Sequence, residues 1–261
     1  MNKLKVAITA AVSGGNLLKE HYGKVFKEKQ KESLRDIVTE IDELSENTIV
    51  NILQTDFPNE TFLTEESGLH NKKSKGMWIV DALDGTVNYI HGIPMFCVSI
   101  SYWRDMIPEI GVVFNPISGD LYYAQNELGA FLNQQKINTS PNNISKNLCA
   151  MAFSGKAHNP QERFKEFELF GQLNDFSQGC LRTGSAAINL SYLAQGKFGL
   201  AVGKANKLWD IAAGIIIAKE AGIKVKYKIT DKENFLVDYI AGSESIINDI
   251  QNNIDISYID V

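Results

Sequence analysis

Apolar residues recur at helical spacing in the first segment, where Leu4, Ile8, Ala11, Leu18 and Tyr22 fall on one face. The spacing predicts a helix there, with Gly14 and Gly15 as weak points in its middle. From Lys24 to Arg35 lysines and glutamates dominate and apolar residues are scarce, so an exposed loop is expected. A second helix is expected from Asp36 to Asp56, burying Ile37, Ile41, Leu44, Thr48 and Ile52. From Thr61 to Ile137 the pattern changes to short runs at Met77–Val80, Phe96–Arg104, Glu109–Phe114 and Leu121–Ala124, bounded by Gly, Pro, Asn and Asp. These runs predict a mainly antiparallel sheet. The polar, turn-forming stretch from Asn138 to Lys146 then separates two halves, expected as units 1–140 and 141–261. Beyond it, strands at Leu148–Phe153, Phe198–Val202 and Lys224–Lys228 alternate with helices at Gln161–Leu173, Ser185–Gln195 and Ile211–Ala221. Such alternation predicts a layered α/β second half after an α+β first half.

Composition narrows the class without naming a chemistry. The chain has 261 residues, 44% hydrophobic and 22% charged, which suits a globular protein able to bury a sizeable core. Its net charge of -5 offers no global positive field for a nucleic acid polymer or an anionic membrane. Cys97, Cys149 and Cys180 are odd in number and lack Cys-x-x-Cys spacing, so buried free thiols in a reducing compartment are expected. Lys3 and Lys5 before the apolar stretch Val6 to Val12 imitate a signal peptide, but Thr9 interrupts the stretch and a polar continuation follows. A cytoplasmic location is expected.

Four short acidic clusters bear on function: Asp36 to Asp42, Glu65-Glu66-Ser67, Asp81-Ala82-Leu83-Asp84-Gly85-Thr86, and Trp209-Asp210. Each alone fits an ordinary role, such as a capping box for Thr39 with Asp42, a solvated loop, a turn, or a helix cap. The third cluster asks for more. Met77-Trp78-Ile79-Val80 is an apolar strand that delivers Asp81 at its end, and a turn through Gly85 lets two carboxylates point into one site. A helix beginning at Gly85 or Thr86 would add backbone N–H groups that favour phosphate. Converging carboxylates and a phosphate dianion repel by about 4 kcal/mol per pair at 4 Å and an effective dielectric constant near 20, so the site needs cations. All-oxygen donors suit Mg2+ or Mn2+ rather than zinc. His21, His70, His91 and His158 are scattered, Ser67 and Ser185 lack a neighbouring base, and Cys97 has no adjacent histidine, so a nucleophilic side chain is disfavoured.

Together with Val38, Thr39 and Asp42, the Gly184-Ser185-Ala186-Ala187 turn with Asn189, the run Trp209-Asp210-Ile211-Ala212-Ala213-Gly214, and Glu220-Ala221-Gly222, these clusters resemble the inositol monophosphatase family. That family belongs to a superfamily of lithium-sensitive, magnesium-dependent sugar, inositol and nucleotide phosphatases. The resemblance implies an αβαβα sandwich and a homodimer. It implies Glu65, Asp81 and the Leu83 carbonyl as ligands of a first metal, Asp81, Asp84 and Asp210 as ligands of a second, and a looser third Mg2+ through Glu65 and water. Thr86 and Asp42 would activate the attacking water, Glu65 would share in catalysis, and the N–H groups of Gly85 and Thr86 would carry phosphate oxygens. Gly184, Ser185, Ala186 and Asp210 would contact the substrate, and basic residues of the loop before Asp36 would close over it. The implied reaction is Mg2+-dependent hydrolysis of a small phosphate monoester, inositol monophosphate first. Adenosine bisphosphate, fructose bisphosphate and histidinol phosphate are alternatives, and a catalytically silent metabolite-binding protein is the rival of another class.

Two positions depart from the family pattern. Ala82 stands where a proline is usual, and Gly203 stands seven positions before Asp210, where a glutamate commonly holds substrate hydroxyls. The second departure leaves the substrate open, with Lys204 or Lys207 expected to favour a second anionic group.

Overall fold

The computed structural model describes residues 2–23, 28–30, 37–70, 74–154 and 159–261, with backbone alone over 28–30 and 37–39. The first elements are α1 (Lys3–His21), β1 (Glu28–Gln30), β2 (Ile37–Thr39) and α2 (Glu40–Asp56). The Asn2 side chain caps α1, accepting from the Lys5 N–H at 3.2 Å. The two glycines of α1 turn out to be points of close approach: a Cβ on Gly14 would stand 2.6 Å from Ile49 Cδ1, and one on Gly15 2.5 Å from Phe114 Cδ1. The second helix begins at Glu40 rather than Asp36, because the β-branched run Ile37-Val38-Thr39 pairs with Glu28–Gln30 as a two-stranded ribbon. Part of the expected charged loop is therefore strand. The buried face of α2 is also rotated from expectation, for Ile41, Asp42, Ser45, Glu46, Ile49 and Leu53 are buried while Leu44 is 46% exposed. Two carboxylates point inward there, which apolar periodicity does not anticipate.

Next come β3 (Thr61–Thr64), β4 (Gly68–His70), β5 (Gly76–Asp84), α3 (Thr86–Ile90), β6 (Cys97–Arg104), β7 (Ile107–Asn115), β8 (Asp120–Gln125), β9 (Gly129–Leu132) and β10 (Gln135–Ile137). They build an eight-stranded sheet in the order β10-β9-β8-β7-β6-β5-β3-β4, antiparallel except where β3 runs parallel to β5. The second sheet draws on β11 (Leu148–Ala152), α4 (Pro160–Phe176), β12 (Cys180–Leu181), α5 (Ala186–Ala194), β13 (Phe198–Lys207), α6 (Leu208–Glu220), β14 (Lys224–Asp231), β15 (Leu236–Gly242) and α7 (Glu244–Asn253). Its order is β12-β11-β13-β15-β14, with parallel pairs at β12-β11 and β11-β13.

The layers follow from which faces are apolar. α1 and α2 cover one face of the large sheet, with Leu18, Ile49, Leu53, Trp78 and Val98 in one cluster. α5 and α6 fill the space between the sheets, where Leu190, Ile211 and Ile215 pack with Ile79 of β5 and Tyr239 of β15. α4 and α7 close the outer face of the second sheet through Leu169, Leu173, Ile246 and Ile250. The result is the expected αβαβα sandwich. All three cysteines are free and buried. Among the described residues no helix is long and apolar enough to cross a membrane.

Candidate active site

Asp81 and Asp84 both lie on β5, and residues three apart on a regular strand point to opposite faces. Here β5 advances from Asp81 to Asp84 while its partner β6 moves only from Ser99 to Cys97. The extra residue makes a bulge, which returns both carboxylates to one side. The strand thus continues through the motif instead of ending at Asp81 as the pattern predicts. Local hydrogen bonds hold the bulge without a proline at Ala82: Leu83 N–H donates to Asp81 Oδ1 at 2.9 Å, and the Thr86 hydroxyl donates to the Leu83 carbonyl at 3.0 Å. Gly85 has φ 97, and a Cβ there would stand 2.8 Å from the Met95 carbonyl oxygen, so glycine is required.

Glu65 arrives from the turn between β3 and β4, and Asp210 from the first turn of α6. Carboxylate oxygens of Glu65, Asp81 and Asp210 all lie within 4.8 Å of one another. Burial pushes Asp81 well above the ordinary carboxylate range, and the charges of Glu65, Asp84, Asp210 and Asp42 push the same way. Asp210 is raised by burial and then by Asp84 and Glu65. Asp84 is raised to about 6 by burial, against hydrogen bonds from Ser185 and the Ala187 backbone that favour its charged form. Among the described residues Asp81, Asp84 and Asp210 form no salt bridge with a lysine or arginine. An oxygen-only donor set this close and this poorly compensated fits Mg2+ or Mn2+.

Two residues that the sequence pattern did not single out hold this set in place. Glu46, buried on α2 four residues after Asp42, accepts from the Thr64 hydroxyl at 3.0 Å, from the Glu66 and Ser67 N–H groups at 2.9 and 3.0 Å, and from the Ser67 hydroxyl at 2.5 Å. It therefore fixes the turn that carries Glu65. Asn88 of α3 donates to the carbonyls of Met95 at 2.7 Å and Thr183 at 2.9 Å, tying the Asp84 turn to the chain before α5. The i, i+4 spacing of Asp42 and Glu46 was the available signal for the first; the second had none.

Asp84 Oδ2 accepts from the Ser185 hydroxyl at 2.6 Å and the Ala187 N–H at 2.8 Å. Ser185, expected to contact substrate, also caps α5 through the Ile188 N–H at 3.2 Å, so its hydroxyl orients Asp84. Gly184, Ser185 and Ala186 line a cleft of about 150 Å³ together with Asp84 and Asp210. Arg182 and Asn206 line it too. Lys204 and Lys207 do not: Lys204 Nζ donates to the Tyr258 carbonyl at 2.8 Å and Asp238 Oδ2 at 3.3 Å, and Lys207 Nζ to the Asn234 carbonyl at 3.0 Å. Asp42 is buried on the first turn of α2, near enough for its charge to raise Asp81. Asp36, Lys24, Lys27, Lys31, Arg35 and His158 lie outside the described residues.

A phosphoric monoester hydrolase is the class that this sandwich and its acidic site define. The chain belongs to the inositol monophosphatase family, whose profile matches residues 2–249. It is 32% identical over 244 residues to the fructose-1,6-bisphosphatase/inositol-1-monophosphatase of Aquifex aeolicus, covering 93% of this chain and 91% of that protein. It is 35% identical to the Nus factor SuhB of Haemophilus influenzae, covering 84% of this chain and 82% of that one. The crystal structure of the extragenic suppressor protein suhB from Bartonella henselae superposes with a TM-score of 0.85 at 29% identity, over 97% of this chain and 98% of that chain.

Proposed function

We propose that the protein hydrolyses a small phosphate monoester, inositol monophosphate first among them, using Mg2+ held by Glu65, Asp81, Asp84, Asp210 and the Leu83 carbonyl. The supporting observation is the convergence of the Glu65, Asp81 and Asp210 oxygens within 4.8 Å, from three distant parts of the chain. When bound, the cations supply positive charge for the phosphate and a nucleophilic water at neutral pH. The chain's own groups do the positioning. The Glu46 hydrogen bonds set Glu65, the β5 bulge sets Asp81 and Asp84, and the Ser185 and Ala187 donors engage Asp84 Oδ2. In this reading Asp42 with the Thr86 hydroxyl takes the proton of the attacking water. The backbone of Gly85 and Thr86 orients phosphate, and the Gly184 to Ala186 turn borders the leaving group.

A homodimer acting in the cytoplasm on a small metabolite belongs to the same reading, and the net charge of -5 supports a partner other than nucleic acid. The decisive test is phosphate release from a panel of esters with and without added Mg2+. Strong dependence on the ion is expected, and equal rates in both conditions refute the reading. Light scattering on the purified protein tests the dimer.

A further inference from the structure

The far end of the cleft is built on a second bulge. In β13 the pairing with β15 slips between Gly203 and Asn206, and Ala205 takes φ 50. Buried Asp238 of β15 locks this bulge: its Oδ1 accepts from the Ala205 N–H at 2.9 Å, and its Oδ2 accepts from Lys204 Nζ at 3.3 Å and the Asp260 N–H at 2.9 Å. The consequence is that Asn206 folds back over Gly203. A Cβ on Gly203 would collide with Asn206 Oδ1, so the absence of a side chain at 203 makes the room that the Asn206 amide occupies. Asn206 is 8% exposed, it lines the cleft, and among the described residues its Oδ1 has no hydrogen-bond partner. A buried amide oxygen left unpaired is costly, so one that borders a cleft calls for a donor from whatever binds there. Arg182 lines the same cleft, its guanidinium carbon 5.1 Å from the Phe153 ring centroid.

We propose that Asn206, held over Gly203 by the Asp238-locked bulge, is the specificity-determining residue for the leaving group, and that with Arg182 it selects phosphate esters whose leaving group carries a hydroxyl and a second anionic group. This rests on the phosphatase reading above. The amide accepts from a substrate hydroxyl without repelling a neighbouring anion, as a carboxylate in its place would. The guanidinium offers paired donors to that anion.

The test is steady-state kinetics at saturating Mg2+ on fructose 1,6-bisphosphate and on inositol 1-phosphate, for the wild type, Asn206→Ala, Asn206→Asp and Arg182→Ala. The wild type is expected to favour the bisphosphate. Loss of one hydrogen bond in Asn206→Ala raises KM for the bisphosphate about tenfold, with a smaller change in kcat. Asn206→Asp keeps the shape and adds a charge, so it lowers the preference for the bisphosphate at least about tenfold. Arg182→Ala lowers it in the same direction, and thermal melts of each variant control for folding. A wild type that prefers the neutral polyol ester, or an unchanged substrate ratio in Asn206→Asp, overturns the assignment while leaving the phosphatase reading intact. Absence of Mg2+-dependent release from both esters in the wild type overturns that reading and this assignment together.

Discussion

The two ends of the cleft are incomplete in opposite ways. At the β5 end, like charges are crowded: Glu65, Asp81 and Asp210 stand together, and burial and mutual repulsion raise the two aspartates. At the β13 end, a neutral group is left unsatisfied: among the described residues the buried Asn206 oxygen has no hydrogen-bond partner. The first arrangement is destabilising until cations enter, and the second until a hydrogen-bond donor does. Both are set on bulges, the first fixed by hydrogen bonds within its own turn and the second by Asp238 from the neighbouring strand, so the fold keeps two unfavourable spots in place at some cost in stability. The comparison teaches that position is set by well-satisfied supports such as Glu46 and Asp238, while affinity is reserved for groups left unsatisfied.

Removing a charge from the crowded end breaks the comparison most severely. Asp210→Asn is expected to lower Mg2+-dependent kcat/KM by on the order of 10^3-fold, since a donor facing the cations is lost. The same variant should melt at a higher temperature than the wild type in chelator, because a buried repulsion disappears. Turnover at the wild-type level would remove Asp210 from the proposed site.

The pH dependence of the metal-free protein sharpens the same point. Asp84 sits at about 6 in the folded chain, against about 3.9 for an unfolded aspartate. The folded state therefore binds more protons between these values. Its contribution is fully present below about pH 4 and is lost as pH rises through about 6, a difference of about 3 kcal/mol by linkage. Asp81 and Asp210 act in the same direction. Denaturant midpoints in chelator should fall more steeply over this window for the wild type than for Asp84→Asn, and saturating Mg2+ should flatten the fall. Parallel curves for the two proteins would contradict the raised value.

A support should behave differently from a ligand. Glu46→Gln keeps the volume but weakens the cradle of the Glu65 turn, so Mn2+ affinity measured by calorimetry is expected to drop about 10- to 100-fold, as for outer partners of metal ligands. kcat at saturating metal should change less than in Asp210→Asn. Unaltered Mn2+ affinity would leave Glu46 a folding residue only.

How much of this was legible before the structure depended on whether a residue's role needed its neighbours. Asp81, Asp84 and Asp210 stood out because carboxylates beside apolar runs are conspicuous in the pattern itself. The bulge that turns Asp81 and Asp84 to one side was not legible, since Ala82 and Leu83 continue an apolar strand and nothing in them marks an extra residue. Glu46 was hidden because a carboxylate on a helix ordinarily faces solvent, and its inward turn follows from donors near Ser67, twenty-odd residues on. At the other end, Gly203 was visible only as a missing acid. That Asn206 fills its space depends on the slip in β13 and on Asp238, in the stretch after Lys228 to which the pattern assigned no element. The same stretch contains β15 and α7, and the two-residue β12 was also missed, so the second sheet was read two strands short.

The smallest effect separates the helix that carries Asp210 from the core around it. α6 lies against β7 at Gly111, where a Cβ would stand 2.5 Å from the Ala213 carbonyl oxygen. That atom is backbone and cannot swing aside, so Gly111→Ala must push α6 off the large sheet, at about 1–3 kcal/mol of stability. Asp210 is less than one turn from Ala213 on the same helix, so the shift reaches the carboxylate cluster. Gly15→Ala is the matched control on the opposite face of the sheet, where the obstruction is the Phe114 ring and Asp210 is not involved. Both variants should melt earlier, but only Gly111→Ala should also bind Mn2+ more weakly in calorimetry. Equal Mn2+ affinity in the two would mean that the seat of α6 sets stability alone and that the position of Asp210 is governed from its own first turn.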